Sequence, residues 1–172
     1  MTVAWTIRTG QLLLSPVAWG DLPDLVSLKG DPGVYGQMLG GVVPPARVVD
    51  ELASDTLGWA RLGVGMWIVR ELDGAAIGVT GIQNRADGRG FALRFAFRPA
   101  ARGRGLAREA AGAALRFGHD RAGLKRIVGV AKEDNFSSRT VLGAIGMRPC
   151  ETFVRDGVRL LVFESLRPQA RS

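Results

Sequence analysis

The sequence predicts a mixed α/β fold (an α+β arrangement) with one crossover helix, and three observations carry that expectation. Short apolar runs of strand character recur with turn signals between them: Met66–Glu71, 75–80 behind Asp73-Gly74, and Phe91–Phe97 behind a turn at 85–90. Leu106, Ala110, Ala113 and Phe117 then repeat at helical spacing, with the small Ala107, Ala111 and Ala114 suited to close packing on a sheet. Another strand follows at 126–131, and right-handed crossover chirality makes the two strands flanking that helix parallel.

The other elements follow in order. A first strand is expected at 11–17, with Pro16 at an edge or end of it. Asp21 caps a helix running to Lys29, with Pro23 in its first turn and Gly30 just beyond its end. Residues 31–41 are rich in breakers and read as a mobile loop or short turns. A second helix spans 46–62, with Val49, Leu52, Ala53 and Leu57 on its apolar face. Beyond 126–131, a short helix at 135–145 stops at Gly146. Phe153 and 158–163, joined through Asp156-Gly157, then form a closing hairpin. No repeat, linker or low-complexity tract interrupts the chain. Residues 1–172 therefore read as a single domain, with 167–172 a loose tail.

The composition narrows the function. At 172 residues, 47% hydrophobic and 23% charged, the chain is long enough and apolar enough to bury a full core. Its net charge of +7 is almost wholly arginine, since the lysines are Lys29, Lys125 and Lys132 alone. The arginines are spread rather than clustered, so an anionic ligand is a better expectation than a nucleic-acid partner. One cysteine, Cys150, excludes an intramolecular disulfide, and with a single histidine it excludes a zinc site of the usual type. The N-terminus lacks a signal-peptide pattern and no apolar run reaches membrane-spanning length, so a cytoplasmic protein without membrane attachment is expected. Cys150 is expected as a small packed hydrophobe and His119 as a structural side chain near a helix end. Trp5 and Trp67 read as packing. Tyr35, Met38 and Trp59 fit either an acceptor pocket or the core.

Chemistry concentrates at Arg102-Gly103-Arg104-Gly105-Leu106-Ala107, between a strand and an alanine-rich helix. Two glycines let the backbone approach a bulky group, and the first N–H groups of the helix, with its positive dipole end, suit an anion. Arg102 and Arg104 add guanidinium forks that match phosphate oxygens. A glycine-rich connection that merely seats a helix on a sheet is the plainer alternative.

The chain resembles the GNAT superfamily of N-acetyltransferases, in the branch that includes the ribosomal-protein N-terminal acetyltransferases. Three separated motifs carry the resemblance: the Arg102 to Ala107 turn, Asn135-Phe-Ser-Ser138 followed by Val141-Leu-Gly-Ala-Ile-Gly-Met147, and Thr9-Gly-Gln-Leu-Leu-Leu14 with Asp21 and Asp31-Pro32 beyond it. It implies a twisted, mostly antiparallel sheet of about six to seven strands, with a splayed parallel pair, a bulge before the turn and about four flanking helices.

It also implies acetyl-CoA as co-substrate, an amine acceptor and no metal. The backbone of Ala96, Phe97 and Arg98 would lie beside the pantetheine, and that of Gly103, Arg104, Gly105, Leu106 and Ala107 would hold the pyrophosphate. Asn135 would bond pantetheine, though as a helix cap it has a second reading. Ser138 would protonate the departing thiolate, and Arg139 would reach the outer phosphate. Dimerisation through the final hairpin is common in such folds. The sequence departs from the branch at Ala92, where a Glu is common, and at Ala100, the first basic or glutamine position of the turn. No general base is therefore assigned. A non-catalytic acyl-CoA-binding module of the same fold is the alternative, and a basic nucleic-acid-binding protein a third reading.

Overall fold

A computed structural model describes residues 5–169 of the chain. An eight-stranded sheet is built from β1 (Ile7–Arg8), β2 (Leu12–Pro16), β3 (Met66–Glu71), β4 (Ala76–Asn84), β5 (Phe91–Phe97), β6 (Arg126–Lys132), β7 (Arg148–Arg155) and β8 (Val158–Leu166), in the order β1-β2-β3-β4-β5-β6-β8-β7. Every neighbouring pair is antiparallel except β5 and β6. Five helices accompany it: α1 (Leu22–Gly30), α2 (Pro32–Tyr35), α3 (Pro45–Leu62), α4 (Leu106–Asp120) and α5 (Phe136–Ala144). The mixed fold and its crossover are as the sequence predicts. The two-residue β1 brings the strand number to eight.

The helices cover both faces of the central strands, so those strands are apolar on both sides. In β3, Trp67 and Val69 join the cluster under α4, while Met66 and Ile68 join the cluster under α1 and α3. The first cluster is centred on aromatics: Trp59 meets Trp67 edge-on at 4.7 Å, Trp5 stacks on Trp59, and Phe117 closes the group. The α4 face carries alanine and glycine because it lies close on the sheet; Ala110, Ala111 and Ala114 are fully buried. Glu109 of α4 accepts hydrogen bonds from Thr9 Oγ1 (2.8 Å) and the Gln11 N–H (3.2 Å), tying the start of the chain to the crossover helix.

Several expectations are corrected. The inward face of α3 is Val48, Leu52, Asp55 and Trp59, whereas Val49 and Leu57 are 38% and 52% exposed. A buried carboxylate interrupts the true stripe, and the apolar neighbours beside it offered a false one. Asp21 precedes α1 but does not cap it. Its carboxylate accepts from the Ala18 N–H and from Arg70. Gly30 is the last helical residue rather than the one after it. Within 31–41, Asp31 accepts from the Gly33 N–H and starts α2, which buries Val34 and Tyr35. Cys150 is exposed, because β7 is the edge strand of the sheet and is exposed along nearly its whole length. His119 is buried, with Nδ1 2.7 Å from the Leu124 carbonyl and Nε2 2.8 Å from Ser165 Oγ, a structural setting.

Candidate active site

Strands β5 and β6 meet at a single register pair, Ala92 with Val128, although each is seven residues long. Their outer edges explain why both stay ordered. β5 pairs with β4 from Phe91 to Phe97, and β6 pairs with β8 from Arg126 to Lys132. Their shared edge therefore opens toward their C-terminal ends into a cleft of about 250 Å³. Ala92–Phe95 form one wall, Val130–Lys132 the other, and α5 with its N-cap supplies Asn135, Ser138 and Leu142. Met38 and Leu39, just after α2, line the same cleft.

No register shift interrupts the β4–β5 ladder, so the bulge implied by the resemblance is not seen. The ladder also fixes which backbone groups face the opening. Arg85 donates its N–H to the Gly90 carbonyl, and Arg98 donates its N–H to the Ile77 carbonyl. Alternation in an antiparallel pair then turns the backbone of Ala92, Arg94, Ala96 and Arg98 toward β4. The backbone N–H and C=O groups of Leu93, Phe95 and Phe97 face the split. Of the three residues expected beside pantetheine, Phe97 presents its backbone there, and Ala96 and Arg98 do not.

Beyond β5 the chain makes one 3₁₀ turn at Pro99–Ala101 and enters the glycine turn. Gly103 (φ 78°) and Gly105 (φ 72°) are both left-handed, and a Cβ on either would meet nothing within 4 Å. Left-handed backbone explains the glycines, and the open space leaves room for a ligand. The first helical bond of α4 runs from the Glu109 N–H to the Gly105 carbonyl (3.0 Å), and no side chain caps the helix. The preceding N–H groups, at Leu106, Ala107 and Arg108, thus lack intrahelical acceptors. Leu106 is wholly buried and anchors this end. The two arginines turn back onto the protein: Arg102 donates to the Gly33 carbonyl (3.3 Å) and Arg104 pairs with Glu71. Anion-binding capacity at the turn therefore lies chiefly in its backbone.

Asn135 caps α5, its Oδ1 accepting from the Ser138 N–H at 3.2 Å, and it also lines the cleft. Ser138 is half-buried on the same wall. Arg139 does not line the cleft; it donates to the Glu133 carbonyl and lies over the Phe136 ring. Of the acceptor-pocket candidates, Met38 reaches the cleft, while Tyr35 and Trp59 are core.

Sequence reasoning missed a polar group behind the cleft. Gln83 Nε2 donates to Asp55 Oδ1 at 2.6 Å, and Arg94 Nη1 donates to Gln83 Oε1 at 2.9 Å. Burial raises the Asp55 carboxyl above its ordinary value, opposed by Lys29 and by the Gln83 bond. Burial likewise pushes the Tyr35 phenol to about 12, with Arg94 pulling it down. Lys29 pairs with Glu51 at 3.5 Å nearby. The one signal available was a lone arginine in the otherwise apolar strand Phe-Ala-Leu-Arg-Phe-Ala-Phe. At the rim, Asp87 is held well below the usual carboxylate range by Arg85, with Arg89 helping.

A sheet split at one parallel pair, with a glycine turn and an uncapped crossover helix beside the split, defines an acetyltransferase fold, and comparison with known proteins agrees. The acetyltransferase (GNAT) domain family matches residues 11–148. The chain belongs to that family. An acetyltransferase from Agrobacterium tumefaciens is 25% identical with a TM-score of 0.81, covering 93% of each chain. A GNAT-family acetyltransferase from Bacillus anthracis is 20% identical with a TM-score of 0.78, covering 94% of this chain and 98% of its own. RimL, a ribosomal L7/L12 α-N-protein acetyltransferase seen in complex with coenzyme A, is 14% identical with a TM-score of 0.77, covering 94% and 97%. No curated protein sequence matches the chain.

Proposed function

We propose that the protein transfers the acetyl group of acetyl-CoA to a primary amine by direct attack within a ternary complex. The observation that carries this reading is the split between β5 and β6, with the glycine turn following the open end of β5 in the chain. A pantetheine arm needs a slot lined by unpaired backbone groups, and a pyrophosphate needs clustered N–H donors. Phe95 and Phe97, with the Leu93 carbonyl, offer the first, and the turn with the start of α4 offers the second.

Within that frame each residue has a task. The amides of Gly103, Gly105, Leu106 and Ala107 hold pyrophosphate oxygens. A backbone N–H of β5 facing the split polarises the thioester carbonyl. Asn135 bonds the pantetheine while keeping its cap on α5. The neutral amine attacks the carbonyl carbon; a C–N bond forms and the C–S bond breaks, while Ser138 gives its proton to the leaving sulfur and is reprotonated, directly or through water, by the proton that the new amide nitrogen sheds. The ammonium proton leaves through solvent before attack, since the cleft-lining carboxylate, Asp87, is already engaged by two arginines.

Calorimetric titration with acetyl-CoA, run beside a Gly103→Glu variant, tests the cofactor half. Glu there sets a carboxylate where pyrophosphate oxygens belong. Binding by the parent that is lost in the variant supports the reading, and no binding by a folded parent overturns it. Release of free thiol on offering primary amines then separates transfer from mere binding.

A further inference from the structure

We infer that the amine acceptor also carries a carboxylate, as an amino acid does, and that Arg94 binds it; this rests on the transferase reading above. Arg94 is at the middle of β5 and alternates with Ala92 and Ala96 on the face covered by α1 and α3, opposite the face of Leu93 and Phe97 under α4. By strand rise it is about 10 Å from the C-terminal end of β5, beyond which the glycine turn begins. An anion at Arg94 is therefore distinct from the pyrophosphate expected at that turn.

The side chain is fixed by one contact and left open at others. Gln83 takes the Nη1 hydrogen, and the far side of that amide bonds to buried Asp55. Asp55 is thus linked to the guanidinium through a neutral amide rather than an ion pair. Among the described residues Nε and Nη2 of Arg94 have no acceptor and no carboxylate lies within 4.0 Å. Those two nitrogens form the parallel fork that receives a carboxylate side-on. Of the other three cations at the cleft, Arg85 pairs with Asp87 at 2.6 Å and Arg155 has Asp156 at 4.0 Å, while Lys132 makes no ion pair among the described residues. Four cations and one carboxylate line the cleft. A half-buried guanidinium with an open fork in such a field favours an anionic partner.

The acceptor's amine and its carboxylate have different requirements, and the cleft separates them. The amine must reach the split edge of β5, where backbone groups of Leu93 and Phe95 face; the carboxylate is met on the opposite side of the strand's pleat by Arg94.

The test uses acceptor pairs that differ only in carboxylate against carboxamide, alanine with alaninamide and methionine with methioninamide, each rate referred to its neutral-amine fraction. In parallel, N-acetylmethionine and its amide are titrated into the CoA-loaded protein. The parent is expected to favour the carboxylate member at least tenfold in kcat/KM and in product binding. Arg94→Gln should abolish the preference while acetyl-CoA affinity is unchanged, and Arg94→Lys should keep part of it. Equal use of both members by the parent, or a preference that survives Arg94→Gln, overturns the inference. Where no amine is acetylated, equal binding of the two products overturns it alone. The acetyl-CoA titration separately reports failure of the transferase reading.

Discussion

Leu142 of α5 lies directly over Gly129 of β6: a Cβ built on Gly129 would stand 2.7 Å from Leu142 Cδ2. The glycine lets α5 settle onto the strand, and Leu142 in turn forms part of the cleft wall with Ser138. Gly81 of β4 is different in kind, since a Cβ there would strike the Gly65 carbonyl and Met66 Cα, backbone atoms that cannot swing aside. Gly81→Ala should therefore cost stability, in the ~1–3 kcal/mol range of an overpacked core. For a chain of this length ~1 kcal/mol reads as about 2–4 °C in Tm. Gly129→Ala should lower Tm less, because Leu142 can turn, yet weaken acetyl-CoA on the order of 10-fold by moving the wall. Thermal melts and titration of both variants check the ordering.

Asp55 makes a pH-dependent contribution whose sign follows from its surroundings. Burial raises its carboxyl in the folded protein, so folding favours the protonated form. Its contribution is then fully present below the unfolded value near 3.9 and is lost as pH rises through the folded value. Asp55→Asn removes that titration while leaving an oxygen for Gln83 to bond. The variant should gain Tm relative to the parent as pH is raised from about 4 to 7. A difference in Tm that stays flat over that range would mean Asp55 titrates alike folded and unfolded.

The parts of this fold that were legible in the sequence are those with local punctuation. Gly90 and Pro99 bracket β5, and its bounds fell where the pattern put them. The glycine turn announced itself for the same reason, because left-handed backbone is a local demand. What was not legible depends on partners distant in the chain. Asp55 hides the inward stripe of α3 because Lys29 and Gln83, the latter 28 residues on, make a buried carboxylate tolerable there. The parity of β5 is set by its ladder with β4, anchored by the Arg85 bond to Gly90, so which of Ala96, Phe97 and Arg98 turns its backbone to the split was not legible locally. Arg102 and Arg104 looked like phosphate ligands until Gly33 and Glu71 were in place beside them.

Backbone and side chains contribute differently to anion binding at the turn. Arg104 is half-exposed, and its pair with Glu71 is a surface ion pair of the kind contributing ~0–1 kcal/mol. Arg104→Ala should weaken acetyl-CoA by less than about 5-fold, the equivalent of ~1 kcal/mol. Gly103→Glu should weaken it more than about 100-fold, since it places a charge against the bound anion and forces a side chain into φ 78°. Comparable losses in the two variants would move the binding energy from the amides to the guanidinium.

The described cleft offers no free base, and that shapes the pH dependence of transfer. Asp87 is held ionised and far below its usual range by Arg85, so it is a poor proton acceptor. Asp55 is behind Gln83, and both ring nitrogens of His119 are engaged elsewhere. The acceptor must then arrive as the free amine, and log kcat/KM should rise with unit slope up to the acceptor's own pKa. Two acceptors whose amines differ by about one pKa unit should give profiles displaced by about one unit. Ser138→Ala should lower kcat on the order of 100-fold without moving either profile, because its proton goes to the leaving sulfur. An inflection at one shared pH for both acceptors would instead reveal a base supplied by the protein.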